Sequence, residues 1–399
     1  MFTKKLALGL LTSSLLLSLN SLADTSKTKH GENISSTLKN SDVSLSFRGR
    51  YESVDQDGIR SSADALTVKS RLSISTGRFH SFSMGLEVDD VFSILDDYND
   101  TKNALSQYPI VADPEATDIN LAYLKYSTSN IRVVVGRQRI KHDNQRFVGN
   151  VGWRQNEQTY DGLRGQYKKS AFELDYSFIS NINNVVGDNI KGAFHLANLR
   201  YSFNKNNGIS LFGYMLDFDD APTKSSSTFG VAYQGRFGGI IVNATGATQG
   251  EHGDNTNTYS ATYLNAELGY QFSDGAFTIL GGYELLGSEE GVSFQTPLAT
   301  SHSFQGWADK FISTPGDGLQ DIYLTVKGKI FSFDVQAAYH DYVADIDDTD
   351  LGSETNALAS YQINKNYSVL FKYASYSAGS SRYTLTDTDK IWVQFSANY

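Results

Sequence analysis

The sequence predicts an all-β fold, a transmembrane antiparallel up-and-down β-barrel of about 18 strands. Three observations favour this fold: apolar and polar residues alternate along most of the chain, short turns alternate with longer polar connections, and many strands end in an aromatic residue. A period of two is the signature of a strand with two different faces. Short turns at one end and longer loops at the other are typical of barrels that cross an outer membrane.

The first residues have the features of an export signal. A basic head at residues 1–5 is followed by an apolar run at 6–19 and by small residues that suit cleavage after Ala23. The apolar run is shorter than the roughly 20 residues that a membrane-spanning helix needs. The predicted domains are therefore a signal peptide, a short periplasmic segment and a single transmembrane β-barrel: 1–23, 24–40 and 41–399.

The alternation continues from the first strand to the last. Residues 43–52, 66–74, 172–178 and 391–399 each place apolar side chains on one face and polar or charged ones on the other. Such a sheet turns its apolar face to lipid and its polar face to an inner lumen. Closing the sheet into a barrel also gives every strand N–H and C=O group a partner, as hydrocarbon requires.

The connections between these strands fall into two alternating sets. The short turns are predicted at 76–79, 128–130, 168–170, 204–208, 238–239, 273–275, 327–329 and 364–366. The longer connections are predicted at 53–64, 93–116, 141–156, 181–193, 219–226, 251–257, 289–318, 344–353 and 378–388. Since short and long connections alternate without a break, the strands run up and down, and both chain ends lie on the short-turn, periplasmic side.

The aromatic residues at strand ends point to a lipid environment. Tyr126, Phe203, Phe237 and Phe272 close their strands, and amphipathic rings in such positions favour the headgroup region. Tyr399, at the end of an alternating strand, resembles the carboxy-terminal signal of outer-membrane proteins. The expected partners are therefore outer-membrane lipid and lipopolysaccharide, and the barrel-insertion machinery.

The composition excludes several classes of protein. The chain has no cysteine, which excludes disulfide scaffolds, zinc–thiolate sites and thiol nucleophiles, and its formal net charge of -10 argues against a nucleic-acid partner. The seven histidines lie near no nucleophile motif, and the pair His142 and Asp143 is better explained as a hydrogen bond. The acidic run 345–350 with Glu354 lacks the spacing of a calcium loop. We therefore predict no enzymatic activity, no cofactor and no metal.

The polar face of the predicted sheet is rich in charge. Basic residues slightly outnumber acidic ones on this inner face, whereas the negative excess lies in the longer connections, as at 96–100 and 345–350. A basic, low-dielectric constriction lowers the barrier for anions. The alternative is that these charges pair across the lumen, as they do in many porins.

The segment at 136–162, here called the insert, stands out among the longer connections. It contains four arginines, Arg137, Arg139, Arg146 and Arg154, among glutamines and asparagines. Planar guanidinium groups and amides suit carboxylate and hydroxyl groups, as on an acidic sugar chain. We expect the insert to fold against the inner wall and narrow the pore. The alternative, which is compatible with the first, is that Asp143, Glu157 and Asp161 neutralise these arginines in a structural knot.

The predicted pore-lining residues combine the insert with the inner wall. They are Arg48, Arg50, Arg71, Arg132, Arg137, Arg139, Asn144, Arg146, Arg154, Glu157, Asp161 and Arg164.

The insert also carries a family resemblance. Its segments Gly-Arg-Gln-Arg-Ile (136–140), Asp-Asn-Gln-Arg-Phe (143–147) and Val-Gly-Asn-Val-Gly-Trp-Arg-Gln-Asn-Glu-Gln (148–158), followed by Tyr-Asp-Gly (160–162), resemble the signature of the alginate export family of outer-membrane porins. The resemblance implies an 18-stranded barrel whose arginine-rich pore passes an anionic polyuronate. It also adds weight to the four arginines of the insert as pore or pore-rim residues. The tight turns of the short-turn side leave no periplasmic plug, which favours oligosaccharides over a polymer.

The sequence thus predicts a transport protein of the Gram-negative outer membrane. It would be an anion-selective channel for anionic saccharides, either alginate-like polyuronate or its oligosaccharides. One alternative is a general diffusion porin without substrate preference. The other is a surface adhesion or receptor barrel that uses the long loops at 93–116 and 289–318.

Overall fold

The computed structural model describes residues 31, 33–272, 276–379 and 383–399. The predicted signal peptide at 1–23 and the predicted turn at 273–275 lie outside these residues. A short helix, α1 (Ile34–Lys39), precedes the strands, and a 3-10 turn (Pro222–Lys224) lies in one loop. No helix within the described ranges is long and apolar enough to cross a membrane.

The strands of the described residues follow one another along the whole chain. They are β1 (Asp42–Gln56), β2 (Ala63–Ser75), β3 (Phe82–Asp97), β4 (Ala116–Ser127), β5 (Ile131–Gln138), β6 (Thr159–Lys169), β7 (Phe172–Asn183), β8 (Asn189–Asn204), β9 (Asn207–Phe218), β10 (Ser226–Phe237), β11 (Ile240–Glu251), β12 (Ser260–Gln271), β13 (Phe277–Leu286), β14 (Ser288–Glu289), β15 (Val292–Ser293), β16 (Leu319–Ile330), β17 (Phe333–Val343), β18 (Asp350–Gln362), β19 (Tyr367–Ser377) and β20 (Thr388–Asn398).

Eighteen of these strands form one closed antiparallel sheet. Each strand pairs with its neighbours in the chain, and β1 pairs with β2 on one side and with β20 on the other. The two remaining strands, β14 and β15, form a small hairpin inside one loop. Closure leaves no sheet edge for lipid to meet. The predicted fold class, an up-and-down barrel of about 18 strands, is confirmed.

The two faces of the sheet follow the predicted alternation. In β12, Leu264 and Leu268 are exposed on the outer face, whereas Asn265 and Glu267 face the lumen and bind inner-wall side chains. Rings pair across strand ends near the short turns, as in Phe82 with Tyr126. The result is an apolar outer band with aromatic residues at its border, as a bilayer favours.

The loop pattern also follows the prediction, with one turn misplaced. The turn predicted at 327–329 is wrong, because β16 continues to Ile330, and Lys327 pairs with Gln336 inside the ladder. Gly328 stands there for a packing reason: a Cβ at this position would lie 2.3 Å from Cδ1 of Phe277 on the neighbouring strand. A glycine that signals a turn in the sequence therefore makes room for a ring in the sheet.

The long-loop half of the barrel interior contains a hydrophobic core that the polar-lumen prediction did not include. Ile140 and Val148 of the insert, with Phe294 and Leu298 of the loop before β16, pack against inner-wall residues of β7 to β9. Ile179 follows the normal alternation of β7, and the register shift after it, between Ile179 and Asn181, turns Ile182 inward as well. The insert and this loop are thus packed inside the barrel.

The assignment of the two faces can be tested by introducing one charge on each. Leu264 faces lipid in the middle of β12, so Leu264→Arg should lower the free energy of unfolding by about 2–4 kcal/mol. Thr245→Arg, on the inner face of the paired strand β11, should cost much less because that side chain lines a cavity. Reversible folding into lipid vesicles measures both, and equal penalties would contradict the assignment.

Candidate functional site

The insert crosses the lumen, since its side chains bind the wall at distant points of the barrel. Arg154 Nη1 donates to Glu52 Oε2 of β1 at 3.1 Å. Arg146 Nε donates to Glu284 Oε1 of β13 at 2.7 Å, and Asp143 Oδ2 accepts from Asn198 Nδ2 of β8 at 2.6 Å. These strands are far apart around the sheet.

Each of the four arginines of the insert has a carboxylate partner. Arg137 binds Asp161 at 2.8 Å, and Arg139 binds both Glu157 and Glu87. Arg146 binds Glu284 at 2.7 Å, and Arg154 binds Glu52 at 3.1 Å and Asp309 at 3.0 Å. Two of the three acids that the sequence proposed as partners, Glu157 and Asp161, have this role. The wall residues Glu52, Glu87 and Glu284 and the loop residue Asp309 were not anticipated.

The third proposed acid, Asp143, has other partners. It lies 3.5 Å from Arg200 of the wall and accepts hydrogen bonds from Asn198 at 2.6 Å and Ser210 at 2.8 Å. Asp143 therefore fixes the insert to β8 and β9 rather than neutralising an arginine of the insert.

The arginines of β1 hold the insert by its backbone. Arg48 donates to the Gln155 side chain at 2.8 Å, to the Gly152 carbonyl at 3.1 Å and to the Arg154 carbonyl. Arg50 donates to the Trp153 carbonyl and lies over the ring of Trp153, with 4.0 Å between its Cζ and the ring centroid. These inner-wall residues were predicted to line the pore, and the structure places them against the insert.

Glu157 is the centre of the ion pairs at the start of the insert. Its carboxylate contacts Arg71 at 2.6 Å and Arg139, and it accepts from Asn150 Nδ2 at 3.1 Å. Burial acts to raise the pKa of Glu157, but the charges of Arg139 and Arg71 hold it well below its usual range. Glu157 is therefore ionised at physiological pH and acts as a permanent counter-ion.

The remaining predicted pore-lining residues lie on the inner wall beside this network. Arg164 binds Asp175 at 2.9 Å and donates to the Arg139 carbonyl at 3.2 Å. Arg132 occupies the inner face of β5, opposite Gln166 of β6.

A second loop, 287–318, also folds into the barrel, and we call it the inner loop. Its Asp309 lies 2.8 Å from His302 Nδ1, 3.0 Å from Arg154 and 3.5 Å from Lys390. Glu354 of β18 accepts from the backbone N–H groups of Ala308, at 2.8 Å, and Trp307. Asp309 thus joins the inner loop to the insert, and Glu354 joins it to the wall.

Lys372 of β19 lies where the insert, the inner loop and the wall meet. Its Nζ is 4.2 Å from the ring centroid of Trp153, 3.8 Å from that of Trp307 and 5.4 Å from that of Trp392, which are the three tryptophans of the chain. Attraction between the ammonium and these rings partly offsets the cost of burying the charge. The Nζ also lies 2.6 Å from Nε2 of His302.

The protonation state of His302 fits this arrangement. Burial lowers the pKa of His302 to about 3, so the ring is neutral at physiological pH. A neutral ring can donate from Nδ1 to Asp309 at 2.8 Å and accept at Nε2 from Lys372 at 2.6 Å.

A cavity of about 510 Å³ remains between these loops and the opposite wall. Strands from β10 to β19 line one side of it, and the insert and the inner loop line the other. Of the predicted pore-lining residues, Asn144 lines this cavity, while the predicted arginines stand in the network beside it. The cationic side chains that line it are Lys141, Lys327 and Lys372.

The described residues contain no group of three or more histidine, aspartate or glutamate side chains that could hold a metal ion. Glu354, which the sequence placed beside the acidic run 345–350, lies inside the barrel and binds the inner loop.

The buried pair of Arg146 and Glu284 should be essential for holding the insert in place. Arg146→Gln leaves Glu284 buried without its counter-ion, so the free energy of unfolding should fall by about 3–5 kcal/mol. Adding Glu284→Gln should restore most of this loss, because the uncompensated charge is removed. Denaturant unfolding in lipid tests both variants, with Arg60→Gln in the exposed β1–β2 loop as the control. Equal stability of all three variants would show that this pair does not hold the insert.

Comparison with known proteins gives one family and a set of similar structures. A family model described as alginate export matches residues 39–278. No curated protein sequence matches the chain. The outer membrane protein opdK from Pseudomonas aeruginosa superimposes with a TM-score of 0.70 and 14% identity, covering 91% of this chain and 99% of that one.

Two further porin structures superimpose equally well. Pseudomonas aeruginosa OpdO has a TM-score of 0.69 and 16% identity, with 91% of this chain and 98% of that one covered. Acinetobacter baumannii OccAB4 has a TM-score of 0.68 and 12% identity, with 90% and 98% covered. At this level of identity the likeness establishes the fold.

Proposed function

The chain belongs to the alginate export family, whose model matches 39–278 including the whole insert, and on that premise we propose that it passes anionic saccharides through an arginine-rich constriction. The protein is a β-barrel channel of the Gram-negative outer membrane. The proposed solutes are alginate-like polyuronate or its oligosaccharides.

The charge of the insert is the observation that carries this proposal. Within 136–162, the five cations outnumber the three carboxylates; the cations are Arg137, Arg139, Lys141, Arg146 and Arg154, and the carboxylates are Asp143, Glu157 and Asp161. Because the insert crosses the lumen, this excess lies where a solute must pass. Fixed positive charge in a narrow, poorly screened space favours anions.

Some cations near the insert add to this field although carboxylates such as Glu157 lie in the same region. Among the described residues, no carboxylate lies within ion-pair distance of Arg48, Lys69 or Lys141. Arg48 and Lys69 face each other across β1 and β2, and Lys141 lines the cavity. We infer that the paired arginines set the position of the insert, while Lys141 and Asn144 meet the solute.

A general diffusion porin is the second candidate, and the cavity wall gives a specific reason for it. Glu267, Glu284 and Asp321 line the cavity and offset the charge of its lysines.

A surface adhesion barrel has less support. Both long loops assigned to adhesion turn inward, since Val111 and Asp113 of one and Phe294 of the other are buried.

The anion-selective channel and the general diffusion porin predict different effects of removing the charge of Lys141. Lys141→Gln removes a cation without leaving a carboxylate unpaired, so the barrel should fold normally. The zero-current potential in a salt gradient should shift towards cation selectivity. Block by an oligouronate should weaken about two- to fivefold, since a partly exposed charge contributes about 0.5–1 kcal/mol. Planar-bilayer recordings measure both quantities.

Arg60→Gln removes the same charge from an exposed loop and serves as the matched control. It should leave both quantities unchanged. If Lys141→Gln behaves like this control, the anion-selective reading fails and the protein is a general diffusion porin.

A further inference from the structure

We propose that the cavity wall opposite the insert is a binding site for the hydroxyl groups of sugars, so that the channel also binds neutral oligosaccharides. This inference rests on the proposed function in one respect, namely that the solute is a saccharide. It adds that recognition at this wall depends on hydroxyl groups, whereas charge selection depends on the insert.

Six neutral hydrogen-bonding side chains form a band on this wall, here called the amide–hydroxyl band. Its members are Gln234, Asn243, Thr245, Asn265, Thr325 and Gln336, and all of them line the cavity. The strand register joins four of its members in cross-strand pairs, because Gln234 lies opposite Asn243 and Thr245 lies opposite Asn265. It extends from β10 to β17, with Leu280 of β13 beside Thr325.

Half of this band has no hydrogen-bond partner among the described residues. The side chains of Thr245, Thr325 and Gln336 make no hydrogen bond to any described residue, although they border the cavity. By contrast, Asn243 donates to Glu267 at 2.7 Å, and Asn265 donates to Tyr323 at 3.2 Å. The unpartnered groups are therefore available to a solute inside the barrel.

The opposite side of the cavity has the same chemistry. Asn144 is exposed there, and Oε1 of the neighbouring Gln145 is buried without a hydrogen-bond partner. Asn150, Ser303 and Gln305 complete this side. An amide donates and accepts at once, which matches the hydroxyl group of a sugar, itself both donor and acceptor.

The charged residues that line the cavity argue against a site that recognises only the carboxylate groups of a solute. Three cations line it, Lys141, Lys327 and Lys372, together with four carboxylates, Asp143, Glu267, Glu284 and Asp321. A site for anions would have an excess of cations. The cavity of about 510 Å³ is also within the range of about 300–1,000 Å³ typical of small-ligand sites, which suits a short stretch of sugar chain.

The test uses the full chain in planar bilayers and two probes, the neutral sugar maltohexaose and an oligouronate of the same length. Thr245→Val with Gln336→Leu removes hydrogen bonds without changing charge or much volume. The dissociation constants for block by both probes should rise about tenfold. The zero-current potential should stay constant. Thr262→Val, the same change on the lipid face of β12, is the matched control.

Each outcome bears on one proposal or the other. Unchanged block by both probes in the double variant would overturn the hydroxyl site, while oligouronate block and anion selectivity in the wild type would leave the proposed function standing. Block by maltohexaose without anion selectivity would support the hydroxyl site and reject the anion preference. If neither maltohexaose nor the oligouronate blocks the wild-type channel, both the hydroxyl site and the proposed function are rejected. Unchanged open-channel conductance shows that a variant has folded. If the double variant does not fold, Thr325→Val provides a second variant for the same measurement.

Discussion

The ion pairs between the insert and the inner wall are the interactions on which the interior of this barrel depends. Arg154 lies between Glu52 of the wall and Asp309 of the inner loop, and Arg146 reaches Glu284 on another part of the wall. A guanidinium group buried without such partners would cost several kcal/mol. The insert therefore stays inside the barrel because wall and loop carboxylates meet its arginines, and the inner loop is held through the same Asp309.

This anchoring makes the lumen asymmetric. The ion pairs of Glu157 and the carbonyl contacts of Arg48 and Arg50 draw part of the insert against β1 to β3. Open space is left beside β10 to β19, where the wall is richer in amides and hydroxyls. In the functions proposed above, charge selection depends on the cations of the insert, whereas hydroxyl recognition depends on the neutral side chains of the amide–hydroxyl band on the opposite wall.

Lys372 connects the insert, the inner loop and the wall through aromatic rings and a histidine instead of a carboxylate. Its ammonium lies against Trp153 of the insert, Trp307 of the inner loop and Trp392 of β20, and it contacts the neutral ring of His302. Cation–π attraction suits this position because rings supply negative potential and apolar packing at once. Lys372 thus contacts the insert, the inner loop and the wall. Trp307 and Trp392 also belong to the hydrophobic core in the long-loop half of the barrel.

The barrel could be predicted from the sequence alone, because lipid on one side and a polar lumen on the other impose a period of two that most strands show locally. The alternation of short and long connections predicted about 18 strands, and the arginine-rich insert was visible as a segment. The contacts of the arginines depend on the tertiary structure. Glu52, Glu284 and Asp309 lie far from the insert in the chain, so only barrel closure brings them to it. The place of Gly328 within a strand also follows from tertiary packing, since the ring of Phe277 that requires a glycine there comes from a neighbouring strand.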